Sequence, residues 1–564
     1  MIVQQYAFRD QNARSSTRDP AMMELREGRD EMPVVCGYKF RGIQEYIARG
    51  GRLIDIAGGS ELIDSLCRRR LADVLGALGV GGVDANGAAV MHQDHGRVLQ
   101  AASGRILLLF KDRDAAHRFV RLWPLIAEQW APDARHGIDL REASDAAIPE
   151  TVAAVVDRIE CGPELPLMAL PSAGPLTMRE RRTGLPVSHI SRDGEPIEDR
   201  DASSRRRSVM LRGNGNKQNE SGSDLLKKRF GFGDRVPSFE ADDIADAGGS
   251  DILAVVHADG TRFGQRFALL MSRHGPEAVA AFSSLSSDLF RGAATYAVQT
   301  VMDLITKEGR VACRPILLGG DDMTVLVPGK FGLDVARRFL VSLEQASAAP
   351  LKQFAATYHL DRDPSWQGLH AGAGVALVHA HYPFDLALRL ASTCAAWAKA
   401  RLPTDPTYQT SSLQFHVALD SATDDYDDIF RYQLRKRDAS ELTAGPYITK
   451  PIPNQPFATL EQLDRLTDAV AALPRRGWRA IARLVHEPDA ELANRRFRRQ
   501  LELLDEAQRD VLCDALAGFG NPTGLWSVGP SGVRRTPVQD VDVRVGLERR
   551  FAQAEPDERD DADE

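Results

Sequence analysis

The sequence predicts an α+β protein that contains more than one domain. Its 564 residues exceed what a single hydrophobic core usually supports. Residues 33–160 and 246–425 each alternate short apolar strands with segments of helical periodicity. Residues 426–552 are mainly helical in pattern. We therefore predict two domains that combine a sheet with helices, followed by a helical C-terminal domain.

The first predicted domain, residues 33–160, begins with the apolar strand PVVCGYKFRG. Apolar residues at helical spacing follow around Gly50-Gly51 and Gly58-Gly59, which predicts strand, helix, glycine-rich turn and helix. Two more strands then meet at a turn near Ala102-Ser103-Gly104, and another helix comes after them. This order predicts an α/β domain.

Residues 161–245 are predicted to be a linker or insertion that is partly disordered, because about thirty polar positions there lack apolar periodicity. Its basic stretch Arg205–Arg207, with Lys227 and Lys228 beyond, is interpreted as a solvated loop. A contact with phosphates is the alternative. We expect residues 1–32 to form an N-terminal extension and the acidic tail 553–564 to be disordered.

The second predicted domain, residues 246–425, has a longer pattern. The strand ILAVVHA is followed by two helices, a pair of strands around Gly319-Gly320, a helix, the strand AGAGVALVHA and a last helix that runs towards Lys399. This order around one sheet is typical of a ferredoxin-like α+β sandwich.

Composition restricts the compartment and the partners. The 71 basic and 79 acidic residues give a formal net charge of -8, so any contact with nucleic acid must be local. The six cysteines contain no CxxC pair, which argues against a disulfide framework or a zinc knuckle and favours a reducing cytoplasm. No apolar run resembles a signal peptide or reaches about 18 residues. We expect a cytoplasmic protein without a membrane partner.

The most specific local feature is LLGGDDMTVLV at residues 317–327. Gly319 and Gly320 predict a tight turn between two apolar strands, where the missing Cβ atoms allow a ligand to approach the backbone. Asp321 and Asp322 would repel each other there without a cation. Mg²⁺ suits this position, because it prefers carboxylate oxygens together with substrate phosphates. The alternative is a plain polar hairpin with solvated aspartates.

Asp259 lies where the strand ILAVVHA ends. Gly260 and Gly264 follow it, and a turn that offers backbone N–H groups at the start of a helix suits a metal-bound triphosphate. The alternative is an ordinary Asp-Gly turn. The chain between Asp259 and Asp321 leaves room for two helices and a returning strand. We therefore expect Asp259, Asp321 and Asp322 to converge and to support two-metal phosphoryl transfer.

These residues carry a family resemblance over about 251–420. The motifs DGTRFG, RPILLGGDDMTVLVPG and AGAGVALVHAHYPFDLALRLASTCAAWAKA resemble the palm shared by GGDEF-type diguanylate cyclases, class III nucleotidyl cyclases and the large subunit of type III CRISPR complexes. The last of these, the Cas-ten or Cmr-two family, is the most similar. The resemblance implies that Asp259, Asp321 and Asp322 are catalytic and bind Mg²⁺ or Mn²⁺ with a nucleoside triphosphate, foremost ATP.

The same resemblance implies a set of nucleotide-binding residues: Gly260, Thr261, Gly264, Gly319, Gly320 and Lys399. Thr261 stands where many relatives have Asn or Asp, which can reduce activity although a hydroxyl both donates and accepts. Lys399 is expected to reach the triphosphate as a point charge, and a surface lysine is the alternative. His379 and His381 are interpreted as structural.

The first domain also resembles this family. Residues 40–66, FRGIQEYIARGGRLIDIAGGSELIDSL, are similar to its first palm, but the hairpin reads AASGR where GGDD would stand. It therefore resembles a non-catalytic palm, and Gln44 and Ser60 are interpreted as structural. The predicted fold is thus two ferredoxin-like palm domains plus a helical C-terminal domain. Because no HD nuclease domain or zinc knuckle is recognised, we expect a compact relative.

The leading functional hypothesis is a nucleotidyltransferase or nucleotide cyclase that makes a cyclic or linear oligonucleotide second messenger in antiviral defence. The alternative is a catalytically weak nucleotide sensor or scaffold in an RNA-guided defence complex. RNA, CRISPR-type protein subunits and a second copy of the chain are open as further partners.

Overall fold

A computed structural model describes residues 32–49, 52–84, 87–164, 174–188, 200–212, 230–238, 240–307, 309–405, 407–418, 423–529 and 532–554. The chain forms two compact units, residues 1–225 with 262–288 and residues 226–261 with 289–564. Lys227, Lys228, most of the predicted N-terminal extension and most of the acidic tail lie outside the described residues.

The first unit is built around a four-stranded sheet. Its elements are β1 (Val34–Arg41), α1 (Ile43–Ala48), α2 (Leu53–Ser65), a π-helical turn (Leu66–Arg70), α3 (Leu71–Ala77), β2 (Gly81–Val83), β3 (Ala89–Met91), β4 (Gly96–Ala102), β5 (Arg105–Phe110), α4 (Arg113–Trp130), β6 (Arg135–Glu142), α5 (Ile148–Cys161) and α6 (Ala202–Arg212). The sheet order is β4-β5-β1-β6, and β1 pairs antiparallel with both neighbours.

Two predictions for this unit are wrong. Gly58 and Gly59 lie inside α2 instead of forming a turn. A Cβ at Gly58 would collide with the carbonyl oxygen of Arg207, so the glycine lets α6 pack closely against α2. The segment predicted as a solvated loop at Arg205–Arg207 is part of that packed helix α6.

The burial of Arg207 explains why this polar segment folds. Its side chain is fully buried and donates hydrogen bonds to the carbonyl oxygens of Tyr46, Ile47 and Arg49 at the end of α1. The last carbonyl groups of a helix have no partner within the helix, so the guanidinium satisfies acceptors that burial would otherwise leave unpaired. The predicted linker at 161–245 therefore contains an integral part of the first unit.

The second unit is built around a six-stranded sheet. Its elements are β7 (Val236–Pro237), α7 (Ala241–Asp246), β8 (Ile252–Gly260), α8 (Phe263–Met302), β9 (Thr306–Lys307), β10 (Arg310–Val311), β11 (Arg314–Gly319), β12 (Asp322–Pro328), α9 (Gly332–Thr357), β13 (Ala371–His379), α10 (Phe384–Ala400), β14 (Ser412–Val417), α11 (Tyr426–Ile429), β15 (Tyr447–Ile448), α12 (Leu460–Ala471), α13 (Arg475–Leu484), α14 (Ala490–Glu502), α15 (Glu506–Ala517), β16 (Ser527–Val528), β17 (Arg534–Arg535) and α16 (Val538–Ala554). The first part of α8 belongs to the first unit, and the helix is kinked at Gly275, where φ is 73°.

The order of the large sheet is β11-β12-β8-β13-β14-β15. Its first four strands repeat the arrangement of the first unit: a hairpin, then the first strand of the domain, then a strand that returns antiparallel to it. Thus β8 corresponds to β1, β12 to β5 and β13 to β6. The prediction of two domains with the same central topology is confirmed.

Helices α9 and α10 cover opposite faces of this sheet. A Cβ at Gly332, at the start of α9, would meet Ala254 of β8, whereas a Cβ at Gly374 of β13 would meet the backbone of α10 at Ala391. Gly374 pairs with His257, and successive strand residues point to opposite faces, so α10 lies on the side of His257 and Asp259. Among the described helices, none combines the length and apolar character needed to cross a membrane.

Candidate active site

The GGDD segment forms a two-residue hairpin loop. Gly319 ends β11 and pairs with Asp322, the first residue of β12, so Gly320 and Asp321 are the loop residues. Gly320 has φ 64°, a left-handed conformation that a side chain disfavours. A glycine at the first loop position is typical of hairpins that follow the twist of their strands. The sequence thus places Asp322 on a strand and Asp321 in the turn.

The hairpin is joined to the strand that carries Asp259. Asp322 pairs with Asp259 across β12 and β8, and the amide of Gly260 donates a hydrogen bond of 2.9 Å to the carbonyl oxygen of Asp321. Residues directly opposite each other in an antiparallel pair project to the same side of the sheet. The backbone therefore brings Asp259, Asp321 and Asp322 to one end of the sheet, with the carboxylates of Asp259 and Asp322 on one face.

Lys399, in the last turn of α10, forms an ion pair with Asp259. Its side chain is 24% exposed, and burial lowers the pKa of Lys399 to about 8, so the ammonium is mostly charged at neutral pH. The pairing depends on Gly372, which lies opposite Asp259 on β13. A Cβ at Gly372 would collide with Lys399 Cγ, so the lysine stem crosses the strand where the side chain is absent.

A buried polar pair lies next to the two aspartates on the same face. His257 Nδ1 is hydrogen-bonded to Thr324 Oγ1 at 2.9 Å, and these two residues are also directly opposite each other. Burial, assisted by the charge of Lys399, lowers the pKa of His257 to about 4, so the ring is neutral at neutral pH. The bond pairs Nδ1 with the hydroxyl, and the neutral ring adds no second positive charge beside Lys399.

The other predicted residues lie on the segment after β8. The amide of Thr261 donates a 2.9 Å hydrogen bond to the carbonyl oxygen of His370, which fixes the strand end. Gly264 is exposed in the first turn of α8, where an added Cβ would meet no atom within 4 Å. Arg262 has φ 64°, which is uncommon for a residue other than glycine. Packing therefore does not require glycine at 264.

The histidines interpreted as structural both lie near carboxylates. His379 Nε2 is 3.1 Å from Asp251 Oδ2, and His381 Nε2 is 3.7 Å from Asp242 Oδ1. Both pairs lie at the far end of β13 from Gly372.

The donor set at this sheet end fits a metal that is held jointly with a substrate. Within the described ranges, no group of three or more His, Cys, Asp or Glu side chains is arranged to hold an ion by itself. Asp259 and Asp322 nevertheless offer opposed carboxylates, and Mg²⁺ is usually bound by one or two carboxylates together with substrate phosphates and waters. The residues thus fit a nucleotide-dependent metal site better than a closed protein cage.

The corresponding positions of the first unit carry the opposite charges. Lys39 of β1 pairs with Arg105, the first residue of β5, and the amide of Phe40 donates a 2.7 Å hydrogen bond to Gly104. These positions match Asp259, Asp322, Gly260 and Asp321 in turn. Arg105 forms an ion pair with Glu160, which occupies the same position in α5 as Lys399 in α10.

The first unit therefore has two basic residues, Lys39 and Arg105, and one acidic residue, Glu160. The matching positions of the second unit have two acidic residues and one basic residue. The sequence indicated only that its hairpin lacks carboxylates. Lys39 and Glu160 are recognised as counterparts only when strand register is known. Similarly, the alternation Gly372-Ala373-Gly374 indicates that a helix lies close to one face of β13. It does not indicate that the side chain of Lys399 fills the space beside Gly372.

Paired carboxylates on a hairpin and its neighbouring strand, within a ferredoxin-like sheet, define a palm domain. Residues 252–405 match the family model described as Cas10/Cmr2, second palm domain, so this segment is a palm domain of that family. The resemblance to the large palm-domain subunit of type III CRISPR complexes is confirmed.

Solved structures support the fold over most of the chain. One match is a chain in the crystal structure of a Csm1-Csm4 cassette in complex with cA4. Its sequence identity is 14%, the match covers 93% of this chain and 70% of that chain, and the TM-score is 0.53. The cassette in complex with one ATP is 12% identical, with the same coverage and a TM-score of 0.50. At this identity the likeness concerns the fold. No curated protein matches the sequence.

Proposed function

We propose that this protein is a metal-dependent nucleotidyltransferase or cyclase that uses ATP or another nucleoside triphosphate. Its product would be a cyclic or linear oligonucleotide second messenger in antiviral defence. The observation that carries the proposal is the direct pairing of Asp259 with Asp322, with Lys399 beside them. The family of the palm segment and the cassettes solved with ATP and cA4 support it.

In this proposal Asp259, Asp321 and Asp322 hold Mg²⁺ or Mn²⁺ together with the triphosphate. When bound, such ions neutralise charge on the phosphates and lower the pKa of an attacking hydroxyl. Gly319 and Gly320 leave the hairpin backbone open to the nucleotide. Phe263 and Gly264 begin α8, and anions are favoured at the start of a helix, whereas the amides of Gly260 and Thr261 already bond to the carbonyl oxygens of Asp321 and His370.

Lys399 has two partners in this proposal. Without a nucleotide its ammonium neutralises Asp259. A flexible four-carbon stem lets the same ammonium turn to a phosphate oxygen once the carboxylate has another counter-ion. Neutral His257 does not compete for that phosphate, because its ring is buried and bonded to Thr324.

A second candidate is a nucleotide sensor or scaffold without turnover. The ion pair of Lys399 with Asp259 favours it, because Asp259, one of the proposed metal ligands, already has a cationic partner. In either case we propose that residues 246–425 form the nucleotide-binding palm, residues 33–160 the degenerate palm and residues 426–552 the helical domain. CRISPR-type subunits are proposed as protein partners, since the matched structures are Csm1-Csm4 cassettes.

The test is product formation by the full-length protein from ATP with Mg²⁺ or Mn²⁺, with and without RNA, followed by chromatography and mass spectrometry. Asp259→Asn and the double variant Asp321→Asn, Asp322→Asn should abolish product, and the double variant should do so without lowering the melting temperature. Asp385→Asn is the matched control, because Asp385 lies in the first turn of α10, about 20 Å along the helix from Lys399. It should retain activity.

Two results separate the candidates. Loss of product only in the site variants supports the enzyme. If the wild type makes no product under any of these conditions and binds ATP as tightly as the double variant does, the metal-dependent enzyme is refuted. Tight ATP binding without turnover would then support the sensor.

A further inference from the structure

A concentrated basic surface lies on α13 and α14, outside the palm. Residues 475–502 contain eight arginines, no lysine and four acidic residues, within a chain whose formal net charge is -8. The two helices are consecutive and pack against each other. The excess of positive charge is therefore local to one helical pair.

In α13 the arginines form one ridge. Arg475, Arg476, Arg479 and Arg483 are all exposed, and at 100° per residue they lie within an arc of about 100°. The buried residue Trp478 lies on another side of the helix. Among the described residues these four arginines have no carboxylate within ion-pair distance.

In α14 the arginines are also directed away from the core. Arg495, Arg496, Arg498 and Arg499 are exposed, whereas Ala493, Phe497 and Leu501 of the same helix are buried. Arg496 is bonded to Glu487 and Arg499 to Glu502, both at the surface. The name arginine ridge is used below for the eight arginines of α13 and α14.

This arrangement disfavours the isolated helices. Arg475, Arg479 and Arg483 are four residues apart, and like charges at that spacing repel each other. Packing does not require them, because their side chains lie on the exposed face. A polyanion would relieve the repulsion. Guanidinium groups suit phosphate in particular, because their planar fork binds two oxygens at once and is weakly hydrated.

We propose that the arginine ridge binds the phosphate backbone of a nucleic acid strand. Its contacts go to phosphates, so the binding is independent of base sequence and strongly dependent on salt. The proposal does not depend on the palm chemistry, because the ridge lies on different elements and needs no metal.

The test uses the full-length protein in EDTA, so that metal-dependent binding at the palm does not contribute. Single-stranded RNA and DNA of about 20 nucleotides, labelled with fluorescein, are titrated by anisotropy over a range of salt concentrations. The variant carries Arg475→Gln, Arg479→Gln and Arg483→Gln. The control carries Arg389→Gln, Arg431→Gln and Arg465→Gln, which removes the same charge from exposed arginines in ion pairs elsewhere.

We expect the ridge variant to bind at least about tenfold more weakly, and its slope of log K against log salt to fall by about 2, since each single-strand phosphate contact contributes roughly 0.7. The control variant should bind within about twofold of the wild type, and both should keep the wild-type melting temperature. Tighter binding of RNA than of DNA would identify RNA as the ligand. Equal binding would show that the arginine ridge binds the phosphates of RNA and DNA alike.

Three results would overturn the proposal. The first is unchanged affinity in the ridge variant, and the second is an equal loss in the control variant, which would show a response to net charge alone. The third is tighter binding of poly-glutamate than of either nucleic acid with the same arginine dependence. That result would assign the ridge to an acidic protein partner.

Discussion

Replacing Gly372 by alanine tests how Lys399 is held against Asp259. The new Cβ would lie 2.9 Å from Lys399 Cδ and 3.0 Å from the carbonyl oxygen of Ala395, and closer still to Lys399 Cγ. The lysine stem must therefore move, which breaks its present contact with the carboxylate. Overpacking of this kind costs about 1–3 kcal/mol.

The Lys399→Ala background separates this collision from other effects. It removes Cγ and Cδ, so of the three atoms nearest to the added Cβ only the carbonyl oxygen of Ala395 is left. Alanine also makes the unfolded chain less flexible than glycine does, which stabilises the folded state by about 0.4–1 kcal/mol and offsets the cost of that contact. We expect Gly372→Ala to destabilise the wild type by about 1–2 kcal/mol and the Lys399→Ala protein by less than about 0.5 kcal/mol.

The assay is urea unfolding followed by tryptophan fluorescence in the four proteins of the cycle. Gly374→Ala is the matched control, because its Cβ would meet the backbone amide of Ala395 at 2.6 Å whatever residue is at 399. Its cost should be the same in both backgrounds. An equal cost of Gly372→Ala in both backgrounds would refute the role of Gly372 as the space for the lysine stem.

Three further outcomes are expected. Burial raises the folded-state pKa of Asp540 to about 6, so its contribution to stability is full below about pH 4 and falls by up to about 3 kcal/mol as the pH rises through 6. Asp540→Asn should remove this part of the pH dependence, measured as the free energy of unfolding in urea at pH 4 and pH 7. An equal change between the two pH values in wild type and variant would contradict it. Arg207→Met should lower the stability of the first unit by at least about 2 kcal/mol through unpaired buried carbonyls, measured against exposed Arg205→Met, which should be nearly neutral. Gly320→Ala should cost about 1 kcal/mol in denaturation because φ is 64°, whereas Gly264→Ala should be neutral or stabilising; equal effects would exclude backbone conformation as the cause.

Local patterns predicted the parts of the fold that depend on local physics. The apolar runs of β1, β8 and β13 appear as strands because buried strands are continuous apolar segments. The hairpin at Gly319-Gly320 was predicted from its glycines, although the loop is one residue further on, at Gly320-Asp321. Turn residues define where a hairpin lies more reliably than the register of its strands.

Long-range contacts account for what the patterns missed. Helix α6 is polar in sequence and folds because Arg207 meets carbonyl groups of α1, some 160 positions away. The sequence left two alternatives for Lys399, a phosphate or solvent. Nothing local in the sequence indicates that Lys399 of α10 reaches across β13 to Asp259. Such contacts follow from sheet register, which a single sequence does not determine.

The opposite charges of the two palm-like sheets restrict how either could evolve. Asp259, Asp322 and Lys399 form one set, and Lys39, Arg105 and Glu160 occupy the matching positions of the other. One substitution in the first unit that introduced a carboxylate at 39 would place it beside Arg105 as a salt bridge, and not as a metal ligand. A carboxylate site like that of the second unit would also need changes at Arg105 and Glu160. No single substitution therefore gives the first unit the charges of the second.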